Sequence, residues 1–454
     1  MSSTGEHKRG ANRGVELLLL IVLVGLMLLA SHATHEGGRS HALAALGFLL
    51  LAGTVVATLL EPIGIPHLTA YLLAGMAAGP YALHLVDHQA VEELSPINAL
   101  ALSLIALAGG AELRVSKLIS AARSLLWATL FQNVVVLIFM AVVFLLLRPF
   151  LPFTAGLPLT VVLGIALLWG VVGITRSPSA TLGVLSQTGA KGPLATFTLA
   201  FVMTSDVVVV VILAVVFTVT RPLLEPGSTF SLRAFQELGH EVLGSVALGS
   251  TLGLLLSAYL RFVGRQLVLV FVALGLVMTQ VLDYLRFDWL LIFITAGFVV
   301  QNLSKQGDKF LEEIDRLGEI VYVVFFATAG AHLDLPLLAL LWPAALALTL
   351  SRAGCTFIAA RLSSRMADDP PALRRWAWAG LVSQAGLALG IAAKIQKEHP
   401  GYGAGFAAMA VATVAMNELV GPILFKTALD RSGETTSHDE TEEPAPAPAP
   451  DPAR

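Results

Sequence analysis

A long series of apolar segments dominates the chain, each close to the ~20 residues that a helix needs to cross a bilayer. Because backbone polar groups must be satisfied within lipid, such a series restricts the chain to a bundle of membrane-spanning helices. Charged residues make up only 13% of the 454, which excludes an ordinary soluble domain. Fourteen spans are predicted, at residues 15–31, 41–60, 66–80, 97–113, 124–147, 157–186, 192–219, 238–261, 264–284, 288–303, 318–334, 338–362, 373–396 and 404–429.

Basic residues between these segments predict the orientation. If residues 1–14 form a cytoplasmic tail, nineteen of the 28 lysines and arginines lie on the inside and seven on the outside. The other two, Arg176 and Arg352, lie within segments. This asymmetry is the positive-inside pattern of a multi-pass membrane protein. We therefore expect residues 15–430 to form a multi-pass membrane domain with a cytoplasmic C-terminus.

The two ends of the chain raise separate points. The first segment also fits a cleavable signal peptide, because Ser31-His32-Ala33 is a small-x-small sequence, and cleavage would leave thirteen spans. Residues 431–454 are acidic and then rich in proline and alanine, which is typical of a disordered tail. The sequence has no nucleotide-binding fingerprint and no metal-spaced His/Cys cluster. We expect no enzyme activity, no cofactor, and no nucleotide or nucleic-acid partner.

One acidic residue stands out because of its depth. Asp206 lies in the middle of the apolar run Leu199–Phe217. A charge at the centre of a membrane helix costs ~2.5–3.5 kcal/mol on insertion scales, so a chain that keeps one there usually binds ions or protons with it. Asp206 therefore predicts transport, driven by an ion gradient.

Two of the predicted helices are interrupted at corresponding places. Segment 157–186 breaks at Thr175–Ser179, because Pro178 removes a backbone donor and disfavours helical geometry before it. Segment 373–396 carries Ser383-Gln384-Ala385-Gly386 at its centre. A matched pair of broken helices indicates an inverted repeat with a binding site between them.

Each break is followed by a long apolar segment that carries an acid, Asp206 or Glu418. These features occur together with further motifs over residues 42–429, and the set resembles the monovalent cation/proton antiporter superfamily, in the branch of bacterial sodium/proton and potassium/proton antiporters. The motifs are Gly64–Gly75 with Gly79-Pro80, Leu107–Leu113, Ser177–Thr181, Phe325–Gly330, Ser383–Gly386 and Asn417–Pro422.

The resemblance implies an all-α polytopic membrane protein with 13–14 transmembrane helices, inverted repeats and two crossed broken helices. It also implies a core containing both breaks, separate dimerisation helices, a homodimer, and an elevator-like movement of the core. A bacterial inner membrane is the expected location. Its ion site is a carboxylate after the first break, which is often preceded by Asp, Asn or Gln. Here that pair is Ser205-Asp206. A basic residue before the second break matches Arg352.

The residues themselves suggest how such a site would work. With Ser205 in place of a second acid, Asp206 is expected to bind a proton or a cation, Na⁺ or K⁺, in turn, which makes exchange electroneutral. Oxygen atoms of Thr204, Ser205, Thr175 and Ser177 are candidate cation ligands. The choice between Na⁺ and K⁺ depends on cavity geometry and stays open.

The other polar residues in and near the two breaks are expected to compensate charge or to stabilise the broken backbone. Arg352 either compensates the dipoles of the broken helices or neutralises an acid. Glu418 is expected to hold the end of a broken helix, while Ser383 and Gln384 satisfy backbone groups that the second break frees. Arg176 has three candidate placements: paired with Asp206, paired with Glu418, or snorkelling to the inner surface.

Two other functions fit parts of this pattern. One is a sensory or channel-like homologue that has lost exchange because Arg176 locks Asp206. The other is a sodium-coupled symporter of organic anions, since that group shares crossed broken helices.

Overall fold

A computed structural model of the chain describes residues 19–27, 39–224, 233–264, 266, 270, 273, 287, 289–333, 335–384 and 386–435. These residues contain helices and no strand, and residues 19–27 are helical. The α-helices from residue 39 on are α1 Arg39–Leu60, α2 His67–Ala78, α3 His88–Glu93, α4 Ser95–Glu112, α5 Val115–Ser120, α6 Ala122–Leu146, α7 Leu159–Ile174, α8 Pro178–Thr188, α9 Pro193–Leu224, α10 Arg233–Phe262, α11 Trp289–Leu303, α12 Gly307–Ala331, α13 Leu335–Ala367, α14 Pro371–Trp376, α15 Gly386–Glu398 and α16 Pro400–Ser432. Short 3₁₀ helices are Glu61–Ile63, Arg148–Phe150, Pro152–Thr154 and Ala377–Leu381.

The predicted spans coincide with apolar helices wherever the structure describes them. Eight described helices are long and apolar enough to cross a membrane, and four shorter apolar ones correspond to segments 66–80, 288–303, 318–334 and 373–396. Together these eight and four account for twelve of the fourteen predicted segments. Segment 264–284 lies almost entirely outside the described residues, as do most of segment 15–31 and the tail from residue 436 on.

One boundary differs clearly from its prediction. The twelfth helix begins at Gly307 rather than near residue 318, so the acidic stretch before the span is helical. Phe310 and Ile314 are buried on one side of this extension, whereas Arg316 pairs with Glu313 at 2.9 Å on an exposed side. An amphipathic helix can continue past the apolar run because only one face needs burial.

The membrane helices pack as two groups. The first group contains α1, α2, α4, α10, α11 and α12, and the second contains α6, α7, α8, α9, α13, α15 and α16. In the first group, Gly75 and Gly330 each lie against a backbone carbonyl of the other's helix, and so do Gly110 and Gly297. A methyl group at any of these positions would overlap the facing backbone, so glycine allows the close approach of α2 to α12 and of α4 to α11.

The two broken helices cross within the second group, as predicted. Helix α7 ends at Ile174 and α8 begins at Pro178, while the 3₁₀ turn ends at Leu381 and α15 begins at Gly386. A backbone hydrogen bond joins the breaks, from the Ser177 amide to the Ser383 carbonyl at 3.1 Å. Each break is followed by an elongated helix, α9 with 32 residues and α16 with 33. The predicted crossed broken helices are therefore confirmed.

Candidate functional site

Four charged side chains are buried around the crossing. The exposed fractions are 7% for Asp206, 7% for Glu418, 2% for Arg176 and 1% for Arg352. Two acids face two bases, so the charges balance when all four are ionised. A buried charge is costly unless nearby groups compensate it. The groups around each of the four side chains therefore indicate its role.

Arg352 binds the carboxyl ends of both first half-helices. Its Nε donates to the carbonyl of Gly173 at 2.8 Å, and its Nη2 donates to that of Thr175 at 2.6 Å. Its Nη1 donates to the carbonyl of Val382, and Nη2 also approaches that of Leu381 at 3.4 Å. The last carbonyls of a helix lack intrahelical donors and carry the negative end of the dipole. These contacts fit compensation of the helix dipoles, and Arg352 also interacts electrostatically with Glu418, so both predicted roles stay predictions.

Gln384 supplies side-chain bonds that the broken backbone lacks. Its Nε2 donates to the carbonyl of Val172 and, at 2.9 Å, to the hydroxyl of Thr175. Its Oε1 accepts from the amide of Asn417 on α16 at 3.0 Å. The second break is thereby connected to the first break and to the helix that follows it.

Glu418 lies near the amino ends of the second half-helices. Its carboxylate interacts electrostatically with Arg352 and lies close to Ser177 and Gln384, although neither of its buried oxygens makes a hydrogen bond to a described residue. Ser177 caps α8, because its hydroxyl accepts from the Ala180 amide at 3.2 Å. The amino end of a helix favours negative charge. Glu418 therefore lies near the positive ends of the half-helices, whereas Arg352 binds their negative ends. The structural role expected of Glu418 stays a prediction.

A glycine holds α16 against the second break. A methyl group at Gly421 would overlap the hydroxyl and the backbone of Ser383. The backbone carbonyl of Ser383 meanwhile accepts from Ser177 in the first break. The close approach of α16 therefore fixes Ser383, and through it the crossing itself.

Arg176 points into the protein and is held by neutral groups. Its Nη1 donates to the carbonyl of Ile174 at 2.6 Å and to the hydroxyl of Ser205 at 2.9 Å. Its Nη2 donates to Oε1 of Gln132 at 3.1 Å, and the guanidinium carbon lies 4.8 Å from the centre of the Phe201 ring. This burial does not fit snorkelling to the membrane surface.

Of the residues predicted to form the ion site, Ser205 and Asp206 lie beside the first break, and the hydroxyls of the others bond to protein groups. Asp206 is buried directly after Ser205 and interacts electrostatically with Arg176. The hydroxyl of Thr204 donates to the Ala200 carbonyl of its own helix at 2.8 Å. Thr175 uses its hydroxyl toward Gln384 and its carbonyl toward Arg352. Ser205 and Asp206 are thus brought beside the first break, and the cation-ligand roles of Thr204, Thr175 and Ser177 stay predictions.

A cavity of about 530 Å³ lies between α4, α8, α9 and α12. Its polar lining includes Glu112, Arg114, Lys191 and Tyr322. It reaches Ala200 on α9, which is about 9 Å along the helix from Asp206. The cavity therefore approaches the candidate site from one end of the bundle.

Sequence reasoning missed Gln132 and Asn417 as members of this network. Gln132 interrupts the apolar segment 124–147, and a buried amide inside a membrane span is itself a signal of a polar partner on another helix. Asn417 directly precedes Glu418, and a role was predicted for Glu418 but not for Asn417. Neither partner could be named, because the bonds join residues 44 and 33 positions apart in the chain.

A helical membrane bundle with two crossed broken helices and a buried carboxylate beside them is the architecture of a secondary transporter. Residues 46–430 match the family model described as sodium/hydrogen exchanger, transmembrane. The chain therefore belongs to the sodium/hydrogen exchanger family, within the monovalent cation/proton antiporter superfamily that its motifs resemble.

Two solved structures of the sodium/proton antiporter MjNhaP1 from Methanocaldococcus jannaschii have a similar fold. The structure determined at pH 8 is 17% identical, with a TM-score of 0.63, and the match covers 86% of this chain and 96% of that one. For the electron-microscopy map the identity is 18% and the TM-score 0.63, with coverage of 88% and 100%. At this identity the likeness establishes the fold alone. A comparison with curated proteins gave no match.

Proposed function

We propose that this protein is a secondary active antiporter that exchanges protons for a monovalent cation, Na⁺ or K⁺, at Asp206. The observation that carries the proposal is that the four buried charged residues have different surroundings. Arg352 and Glu418 lie at the ends of the half-helices, whereas Asp206 is buried beside the first break, where its charge acts on Arg176. An acid buried at membrane depth is costly and usually marks an ion or proton pathway, which supports Asp206 as the exchange site.

Exchange at one carboxylate follows from competition. Protonated Asp206 and cation-loaded Asp206 have the same charge, so each loaded form of the core carries the same net charge across the membrane. One proton then moves against one cation, and the cycle transfers no net charge. The carboxylate holds one ion at a time and faces one side of the membrane at a time. The proton and the cation therefore cross in opposite directions.

The two helix groups suggest how access alternates. The second group contains both breaks and Asp206, and we propose that it moves as a unit against the first group, which forms the dimer. In the orientation that the basic residues predict, the cavity beside Lys191 opens to the cytoplasm. The described state would then be open to the inside, and the pathway would close as the second group moves outward.

A non-transporting homologue locked by Arg176 is the main competing function. The hydrogen bonds of its guanidinium to Ile174, Ser205 and Gln132 all end on neutral oxygens, which favours a working site. No contact in the described residues specifically favours a symporter of organic anions.

The test is cation-driven pH change in proteoliposomes that contain the purified protein and a trapped pH dye. An imposed Na⁺ or K⁺ gradient should move protons in the opposite direction, and an equal choline gradient should not. If neither cation moves protons across a range of pH, while the protein is folded and inserted, the antiporter proposal is wrong.

A further inference from the structure

We infer that Gln132 is a positioning residue for exchange, because it holds the Arg176 guanidinium on neutral oxygens beside Asp206. Its effect would be to limit how strongly Arg176 competes with protons and cations for the carboxylate. The inference rests on the proposed function, since it concerns the same site. Nothing in the motifs points to Gln132, which lies on α6 outside both breaks.

The orientation of Gln132 is fixed by the two ends of its amide. The side chain is fully buried, and its Nε2 donates to the carbonyl of Thr356 on α13 at 3.0 Å. Its Oε1 therefore faces the first break, where it accepts from Nη2 of Arg176. Since Nε2 has only donors and Oε1 only lone pairs, turning the amide over would break both bonds. Gln132 thus connects two helices of the second group to the guanidinium.

The other anchors of Arg176 act on a different nitrogen. Both the carbonyl of Ile174 and the hydroxyl of Ser205 accept from Nη1, whereas the described hydrogen bond of Nη2 goes to Gln132. A buried cation that loses an acceptor is strongly destabilised and moves toward an available negative charge. Asp206 is the acid whose charge acts on Arg176, whereas Glu418 interacts with Arg352. Loss of Gln132 should therefore draw Arg176 toward Asp206.

A tighter pair of Arg176 with Asp206 would oppose both halves of the cycle. An opposite charge at close range favours the ionised carboxylate, so protonation becomes harder, and the fixed cation occupies the position that Na⁺ or K⁺ would take. The predicted signature is a raised apparent KM for the transported cation. A defect that merely loosened the fold would lower the amount of active protein and leave KM unchanged.

The first test compares Gln132→Met with wild type in proteoliposomes, at fixed pH, using the cation that wild type exchanges. Methionine keeps the length and removes the acceptor, so we expect the KM to rise about tenfold or more, the scale of a lost hydrogen bond to a charged group. Asn133→Leu is the matched control, because Asn133 is a buried neighbour whose amide bonds to Thr129 within the same helix. Its KM should stay at the wild-type value. A Gln132→Met KM within twofold of wild type overturns the inference.

Two further variants separate positioning from packing. Gln132→Glu keeps an acceptor for Nη2 but loses the donor to Thr356, so its KM should rise less than about tenfold. A KM raised about tenfold or more contradicts the inference even if Gln132→Met does not fold. In an Arg176→Gln background, Gln132→Met should cause no further change in KM, because the side chain that it positions is gone. An equally large change there would mean that Gln132 acts through something other than Arg176.

A structural readout keeps the inference testable apart from transport. In a high-resolution map of Gln132→Met, the guanidinium should lie closer to the Asp206 carboxylate than in wild type. A guanidinium that stays on Ser205 refutes the inference. Absence of exchange by wild type itself would instead refute the proposed antiport, so the two failures are distinguishable.

Discussion

Glu434 fastens the end of α16 to the start of the helix that carries Asp206, and this contact can be removed selectively. Its two carboxylate oxygens accept from the backbone amides of Leu194 and Ala195, each at 2.8 Å, and its own carbonyl accepts from Lys191 at 3.0 Å. The residue is 9% exposed. The first amides of a helix have no intrahelical acceptor, so Glu434 acts as the cap of α9 from 240 residues away.

The expected cost follows from the number of bonds. A capping contact contributes ~1 kcal/mol and a hydrogen bond to a charged group ~1.5–3, so loss of two bonds in Glu434→Ala should lower the free energy of unfolding by about 2–4 kcal/mol. Glu434→Gln keeps one acceptor and should lose about half of that. Denaturant titration of the purified proteins measures both values, and Asp430→Asn, on the exposed side of α16, serves as the control.

The order of stabilities tests the reasoning more sharply than any single value. We expect wild type and Asp430→Asn to be alike, Glu434→Gln to be weaker and Glu434→Ala to be weakest. If Glu434→Ala is within about 0.5 kcal/mol of wild type, the range of ordinary surface substitutions, then Glu434 does not hold α9 in solution.

Three further predictions concern the crossing and the charge moved. Arg352→Met should lower the free energy of unfolding by about 3–5 kcal/mol, because the buried carbonyls and Glu418 lose their cation. The stability of Arg352→Lys should lie between that of wild type and that of Arg352→Met. Denaturant titration measures all three, and equal stabilities would contradict the dipole role. Gly421→Ala should cost about 1–3 kcal/mol by forcing α16 away from Ser383, whereas Gly354→Ala, in open space, should be harmless, and thermal unfolding compares the two. Because exchange is proposed to be electroneutral, a potential clamped with valinomycin should leave the Na⁺/H⁺ equilibrium unchanged in liposomes, and a clear shift with voltage would require a second coupled proton.

Much of the fold could be predicted because its causes are local. Segment length identified the spans, and Pro178 located the first break without reference to any other part of the chain. The extension of α12 to Gly307 was not predicted, since its polar face hid the burial of Phe310 and Ile314 on the other.

The partners within the site could be predicted less well, because they depend on contacts distant in sequence. Arg352 was recognised as important, but its bonds reach Gly173 and Thr175, which lie 179 and 177 positions away in the chain. Arg176 was left among three placements because its acceptor, Gln132, is set by how α6 packs on α13. The roles of Thr204, Thr175 and Ser177 toward a cation stay predictions, since in the described state the hydroxyls bond to protein groups.

The central claim is that Asp206 is the group at which protons and cations compete, and the most direct measurement is exchange by Asp206→Asn in proteoliposomes. The amide keeps the shape of the side chain and removes the charge, so the variant should insert and fold but show no cation-driven pH change. Asp206→Glu should retain partial exchange, because it keeps a titratable carboxylate. Wild-type exchange by Asp206→Asn would contradict the account and place the ion site elsewhere in the crossing.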